Sequence, residues 1–200
     1  DPYLIADEEQ LRYIATAINE DVDWEGVYFK QTADIQLSDE EWLPIGYMIQ
    51  GYYLSKWQTF ASYPFKGNYD GGNHAITGLR IGTATTPSAD PRMQAVAGFI
   101  GYTVGDVSNN YALKEDSVVR EVKNLFIRDA LINMQGLSNV YAAGLVAYAS
   151  NGFTIDHCKA TGAVTVGGME SSLELTDNKP FTVECTITNS GERDGAEVVQ

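Results

Sequence analysis

Residues 42–63 hold the side chains best suited to gripping a ligand. Trp42, Tyr47, Tyr52, Tyr53, Trp57, Phe60 and Tyr63 all fall in that segment. Tyrosine and tryptophan offer a flat apolar face with a polar edge, which suits a sugar ring stacked on one side and hydrogen-bonded at its rim. Trp42, Tyr47, Tyr52, Tyr53, Trp57 and Tyr63 are therefore the candidate ligand-binding residues. The same rings could instead pack the segment onto the rest of the fold.

Other chemistry is more thinly signalled. Glycoside hydrolysis needs two carboxyls about 5–10 Å apart across a cleft. Asp34, Asp39, Glu40, Glu41 and Asp70 are the acids that could meet, but with 27 acids in the chain some pair will do so by chance. Acidic turns could take calcium through carboxylate and carbonyl oxygens, although no loop has EF-hand spacing. His74 and His157 have no further ligands at metal spacing, so no cofactor is expected beyond that calcium. Cys158 and Cys185 allow one disulfide at most, and both fall at positions that read as inward-facing in strands. No glycine-rich run is followed by Lys-Ser/Thr or by a helix, so no nucleotide loop is expected. A net charge of −14 with no Lys/Arg cluster argues against nucleic acid and anionic lipid as partners.

The elements that must position these groups are mostly strands. Nineteen glycines sit largely between short apolar runs, the pattern of many short strands. One helix is expected over 7–19. Asp7 and Gln10 form a capping-box-like start, and Leu11, Ile14, Ala15 and Ile18 make one apolar stripe that would cover the end of a strand-built core. Three stretches repeat one pattern: Ile76-Thr77-Gly78-Leu79-Arg80-Ile81, Val122-Lys123-Asn124-Leu125-Phe126-Ile127 and Ile155-Asp156-His157-Cys158-Lys159-Ala160. The third residue is Gly, Asn or His, types that tolerate positive φ. Strands bent there would wind into a coil of β-rungs. Ala97-Gly98-Phe99-Ile100 and Ala143-Gly144-Leu145-Val146 open matching units 46 residues apart. Residues 38–63 break the rhythm and read as an insertion or hairpin. Residues 82–95 and 103–119 read as loops. No apolar run approaches the ~18 residues of a membrane-spanning helix, and Asp1-Pro2 reads as a mature or trimmed start.

Phe65-Lys66-Gly67-Asn68-Tyr69-Asp70-Gly71-Gly72-Asn73-His74-Ala75-Ile76, with Ala97-Gly98-Phe99-Ile100-Gly101 and Val122-Lys123-Asn124-Leu125, resembles the GLUG-type repeats of secreted and surface proteins of bacteria. The resemblance covers roughly residues 3–166. It implies an all-β fold, a right-handed parallel β-helix, here with the N-terminal helix as its cap. Polysaccharide lyases resemble that fold, but no convergent Asp cluster with a matching Arg or Lys stands out. Residues 181–200 are similar to a hairpin of the fibronectin-type-III-like domain that ends many family 3 glycoside hydrolases, which implies a partial immunoglobulin-like sheet over 167–200 and a parent enzyme whose catalytic domain lies elsewhere. The division expected is 1–166, with its insertion at 38–63, and 167–200.

These readings converge on a non-catalytic accessory module of an extracellular or cell-surface bacterial protein, with a polysaccharide or surface glycan as ligand. A strand edge at 181–200 could also pair with another protein chain. Two alternatives remain open: a structural or adhesive stalk that binds protein partners, and a polysaccharide lyase or glycoside hydrolase.

Overall fold

The computed structural model describes residues 1–20, 24–53, 56–105, 120–136, 140–150, 152–168 and 181–182. Among them the chain runs β1 (Tyr3–Ile5), α1 (Glu8–Asn19), β2 (Tyr28–Gln31), β3 (Ile35–Gln36), β4 (Tyr47–Tyr53), β5 (Lys56–Tyr63), β6 (Asn68–Thr77) and β7 (Arg80–Ile81). A 3-10 turn at Pro91–Met93 leads to β8 (Val96–Ala97), β9 (Ile100–Val104), β10 (Arg120–Gly136), β11 (Tyr141–Ala142), β12 (Val146–Ser150), β13 (Phe153–Asp156), β14 (Lys159–Gly168) and β15 (Phe181–Thr182). The protein is mostly β, with one α-helix among the described residues.

Parallel pairing dominates. The largest sheet orders its strands β1-β2-β6-β10-β14, all parallel, and β8-β11 and β9-β12 form two further parallel pairs. In-register pairing stacks like on like. Phe29, Tyr69, Val122 and Ile155 make one column, Ile35, Ile76, Ile127 and Ala160 a second, and Ile81, Ile132 and Val164 a third. Most of these side chains are completely buried, each worth about 1.5–3 kcal/mol on transfer from water. The outer face carries a ladder of alternating charge, Lys30–Asp70–Lys123–Asp156, which favours this register over a slip that would set like charges side by side.

Two bends let one strand such as β10 serve several faces. The first passes through Asn73 (φ 64°), Asn124 (φ 53°) and His157 (φ 49°), and the second through Gly78 (φ 81°), Asp129 (φ 52°) and Gly162 (φ 144°). All three residues picked out by the repeated pattern thus do sit at positive φ. Their alignment needs correction, however. Ile127 pairs with Ile76, and Val122 pairs with Tyr69. Gly78 therefore belongs with Asp129, one bend further along than Asn124 and His157. The motif occurs at both bends because both need the same backbone conformation.

The helix forms as its caps dictate. Asp7 accepts from the backbone N–H of Gln10 at 2.9 Å, and Gln10 Oε1 accepts from that of Ala6 at 2.8 Å. Leu11, Ile14, Ala15 and Ile18 are buried and join the main core with Ile5, Phe29, Leu37, Trp42 and Ile45. Arg12 fastens the outer side. It donates to the carbonyls of Glu40 and Glu41, pairs with Glu8 at 2.8 Å and lies over the Trp42 ring. At the far end, Asn19 donates to Pro44 O and accepts from Gly46 N–H.

The insertion is narrower than residues 38–63. Trp42 is fully buried, and Ile45 bridges Ile100 in parallel fashion, so 42–46 belong to the regular stack. Only β4 and β5, an antiparallel hairpin, leave it. Strand β9 records the detour. Tyr102 N–H donates to Gly46 O, and Tyr102 O accepts from Phe65 N–H, so the chain departs after Gly46 and resumes at Phe65 on the same edge. Gly46 has φ 72°, and a Cβ there would lie 2.3 Å from Tyr102 O. The expected loop at 82–95 has no strand and is pinned by Asn133, whose Nδ2 donates to Thr83 O. In the tail, Phe181 and Thr182 pair antiparallel with Val166 and Thr165. The rest of 183–200, with Cys185 and the expected strand edge, lies outside the described residues.

Candidate functional site

A second, smaller apolar cluster sits apart from the main core. Tyr47, Met48, Ala95 and Val96 are buried in it, and Tyr63, Tyr102 and Tyr148 pack half-buried around them. Local sequence explains the placement. Tyr47 and Tyr63 face each other in register at the base of the hairpin, with ring centroids 5.0 Å apart. Tyr102 and Tyr148 are cross-strand partners in β9 and β12 and stack at 5.4 Å. Tyr148 also meets Tyr141 at 4.7 Å, and Tyr141 is exposed. The result is a strip of tyrosine rings running from the hairpin across the paired strands β9 and β12.

Burial, followed by the neighbouring hydroxyls of Tyr141 and Tyr102, holds the Tyr148 phenol above its ordinary pKa. Tyr47 is raised as well, chiefly by burial and then by Tyr63. These phenols are neutral in the physiological range and can both donate and accept hydrogen bonds. The Asp90–Arg92 pair borders the strip; Arg92 Nε reaches both oxygens of Asp90, at 2.9 and 3.0 Å.

The six expected ligand-binding aromatics separate. Trp42 is a core residue: it stacks on Phe99 at 5.6 Å and donates its indole N–H to Phe99 O at 3.1 Å. With no exposed surface it cannot meet a ligand, so that expectation is corrected. Tyr47 is also buried, beneath the strip, and Tyr63 is half-buried beside it. Tyr52 and Tyr53 pair with Trp57 and Lys56 across the hairpin backbone; the side chains of Tyr52, Tyr53, Trp57 and Phe60 lie outside the described residues. Sequence reasoning missed Tyr102, Tyr141 and Tyr148. A signal was available, because Tyr102 and Tyr148 follow Ile100 and Val146 at equal distance in the two matching units.

The acids do structural work. Asp34 accepts from Ala75 N–H at 2.9 Å and meets His74 at 3.3 Å; the first contact, more than the second, holds its carboxyl below the ordinary range. Asp39 pairs with Arg80, and Glu41 accepts from Gly82 N–H. Asp70 loses solvation, which opposes its charge, yet Asn124 Nδ2 at 3.0 Å and Gly72 N–H at 2.9 Å outweigh that and lower its pKa. Among the described residues no group of three or more His, Cys, Asp or Glu could hold a metal ion, and no helix is long and apolar enough to cross a membrane. Cys158 is a free, half-buried thiol whose pKa is raised by desolvation; His157 stands at the first bend and meets Asp156 at 2.7 Å.

The family model of the GLUG motif matches residues 138–166. That stretch holds Tyr141, Tyr148, the bend at His157 and most of β14, so the chain carries a GLUG-type region. No curated protein matches the chain. Among solved structures, one described as "a putative immunoglobulin A1 protease from Bacteroides ovatus" superposes with a TM-score of 0.41 at 14% identity, over 84% of this chain and 59% of that one. The chain thus spans 59% of that neighbour's length.

Proposed function

We propose that this chain is a non-catalytic module of an extracellular or cell-surface bacterial protein, a right-handed parallel β-helix that binds carbohydrate on its tyrosine strip. The observation that carries the reading is the contact row of Tyr102, Tyr148 and Tyr141, rings held by the sheet register. Such rings give stacking area at low entropic cost, since the strands have already fixed them. The in-register parallel pairs and the positive-φ bends support the β-helix, and the GLUG-type region supports the extracellular setting. The use of the acids as turn and cap partners supports a binding role over hydrolysis.

A pull-down on insoluble and soluble polysaccharides, scored also for released sugar, tests this. The wild type should be retained without release. Tyr148→Ala should weaken retention about tenfold, the loss expected when one stacking ring is worth about 1.4 kcal/mol. Equal retention of Tyr148→Ala and wild type would refute the strip. Burial of Trp42 and Tyr47 favours a second reading, a structural or adhesive stalk that meets protein partners. It would replace the first if no glycan retains the chain.

A further inference from the structure

A different face carries a second set of unspent groups. At the second bend, Phe126, Ile127, Arg128, Asp129, Lys159 and Thr161 line an open cleft of about 370 Å³. Leu125 and Ile127 point inward and are fully buried, so Phe126 and Arg128 alternate outward on β10. Lys159 is the register partner of Phe126 on β14, which sets the two strands about 4.8 Å apart there. Two cations therefore flank one half-exposed ring.

Neither cation is held in an ion pair, although Arg128 acts at longer range on Asp34. Arg12, Arg80, Arg92, Arg120 and Lys123 each have a carboxylate partner. Arg128 and Lys159 have none within ion-pair distance among the described residues, as is also true of Lys30, Lys56 and Lys66; what sets the two apart is that they flank one ring. Hydrogen-bonding groups complete the cleft. Thr161 Oγ1 accepts from Asp129 N–H at 3.3 Å, which leaves the hydroxyl proton free to donate outward. The Asp129 carboxylate can only accept.

We infer that this cleft binds an acidic sugar, a pyranose ring bearing a carboxylate or sulfate group. The ring would stack on Phe126, the anionic group would lie between Arg128 and Lys159, and Thr161 and Asp129 would meet ring hydroxyls. Each part answers a chemical need: an aromatic face for C–H groups, paired cations for an anion, and one donor and one acceptor for hydroxyls. The chain's overall negative charge opposes this only weakly, because exposed charges are screened beyond about 8 Å at physiological salt.

The site is separate from the tyrosine strip, so the two can fail independently. Titration calorimetry with galacturonate oligomers, a sulfated galactose oligomer and neutral galactose oligomers tests it. Measured in the Tyr148→Ala background, which removes the strip's contribution, either acidic oligomer should bind and the neutral one should not. Added to that background, the double substitution Arg128→Gln/Lys159→Gln should lower the affinity for the acidic oligomer at least about tenfold, as removal of charge-assisted hydrogen bonds implies. A preference for galacturonate or sulfate identifies the anionic group. Thermal melting guards against misfolding, and the single variants Arg128→Gln and Lys159→Gln, each expected to weaken binding, serve if the double variant melts early. No binding of either acidic oligomer, or undiminished binding by a folded double variant, would overturn the proposal.

Discussion

Asn124 is the sharpest place to test how the sequence makes the bend. Its backbone sits at φ 53°, and its side chain donates to Asp70 Oδ1 at 3.0 Å. Asn124→Gly keeps the backbone conformation and deletes the hydrogen bond. That bond goes to a charged acceptor, worth about 1.5–3 kcal/mol when sheltered and nearer 1 kcal/mol when partly exposed, as here. Glycine adds about 0.5–1 kcal/mol through the freer unfolded chain. Asn124→Ala deletes the same bond and forces alanine into the left-handed region at about 1–2 kcal/mol. The expected losses are about 1.5 kcal/mol for Gly and about 2.5 kcal/mol for Ala, or roughly 4 °C and 8 °C in Tm for a chain of this size. Asn124→Asp adds a sign test. It tolerates the backbone but sets a carboxylate against Asp70, so it should be least stable at pH 7 and recover relative to wild type as the pH falls towards 4. Thermal and urea unfolding of the three variants provide the assay. If alanine costs no more than glycine, the bend does not depend on left-handed tolerance and the argument from Gly, Asn and His at this position fails.

Three further outcomes follow from the geometry. Trp42→Ala removes a buried indole with its stacking partner and its hydrogen bond, and should cost about 3–5 kcal/mol by urea titration with no selective effect on polysaccharide retention; a cost below about 1 kcal/mol would mean Trp42 is not in the core. Gly46→Ala places a methyl 2.3 Å from Tyr102 O at φ 72°, so it should destabilise the chain more than Asn124→Ala does; equal stability would show that the departure into the hairpin is less constrained than drawn. For pH, the Asp90 carboxyl is held below its ordinary range, first by the Arg92 side chain. A depressed carboxyl stabilises the fold above its unfolded pKa of about 3.9 and stops doing so as the pH falls through the lower folded value. Tm should therefore fall steeply below about pH 4, and Asp90→Asn should flatten part of that limb; an unchanged acid limb would remove Asp90 from the explanation.

Local features of the fold were legible because their causes are local. Asp7, Gln10 and the stripe from Leu11 to Ile18 specify the helix within one span of sequence, and Gly78, Asn124 and His157 mark bends because a single residue's backbone preference suffices. Register was not legible, because it is a property of pairs. Ile76-Thr77-Gly78 and Val122-Lys123-Asn124 have the same local chemistry, and only the packed core decides that Ile76 sits beside Ile127. The same distinction divided the site. A segment crowded with aromatics looked like a platform, yet whether a ring is exposed depends on which strand lies over it. Trp42 is covered by the helix side chain Arg12 and by Phe99, neither of them near it in sequence.

If the tyrosine strip and the cleft bind as proposed, they illustrate what stacked parallel strands offer to ligands. Each parallel strand sets its outward residues beside those of its register partner, so a pair such as Tyr102 and Tyr148, or Phe126 beside Lys159, is placed by the ladder without cost to any loop. Positive-φ bends then set where one face ends and the next begins. The cleft lies at such a corner, beside Asp129, where the outward side chains of one face fan away from the next and leave room for a ring. Binding surfaces on this fold should therefore be sought along columns and at corners rather than in the segment richest in aromatics. Two columns on different faces also allow two independent ligand contacts. If one polymer spanned both, the second contact would be intramolecular, and loss of either site would cost far more with a long chain than with an isolated oligomer.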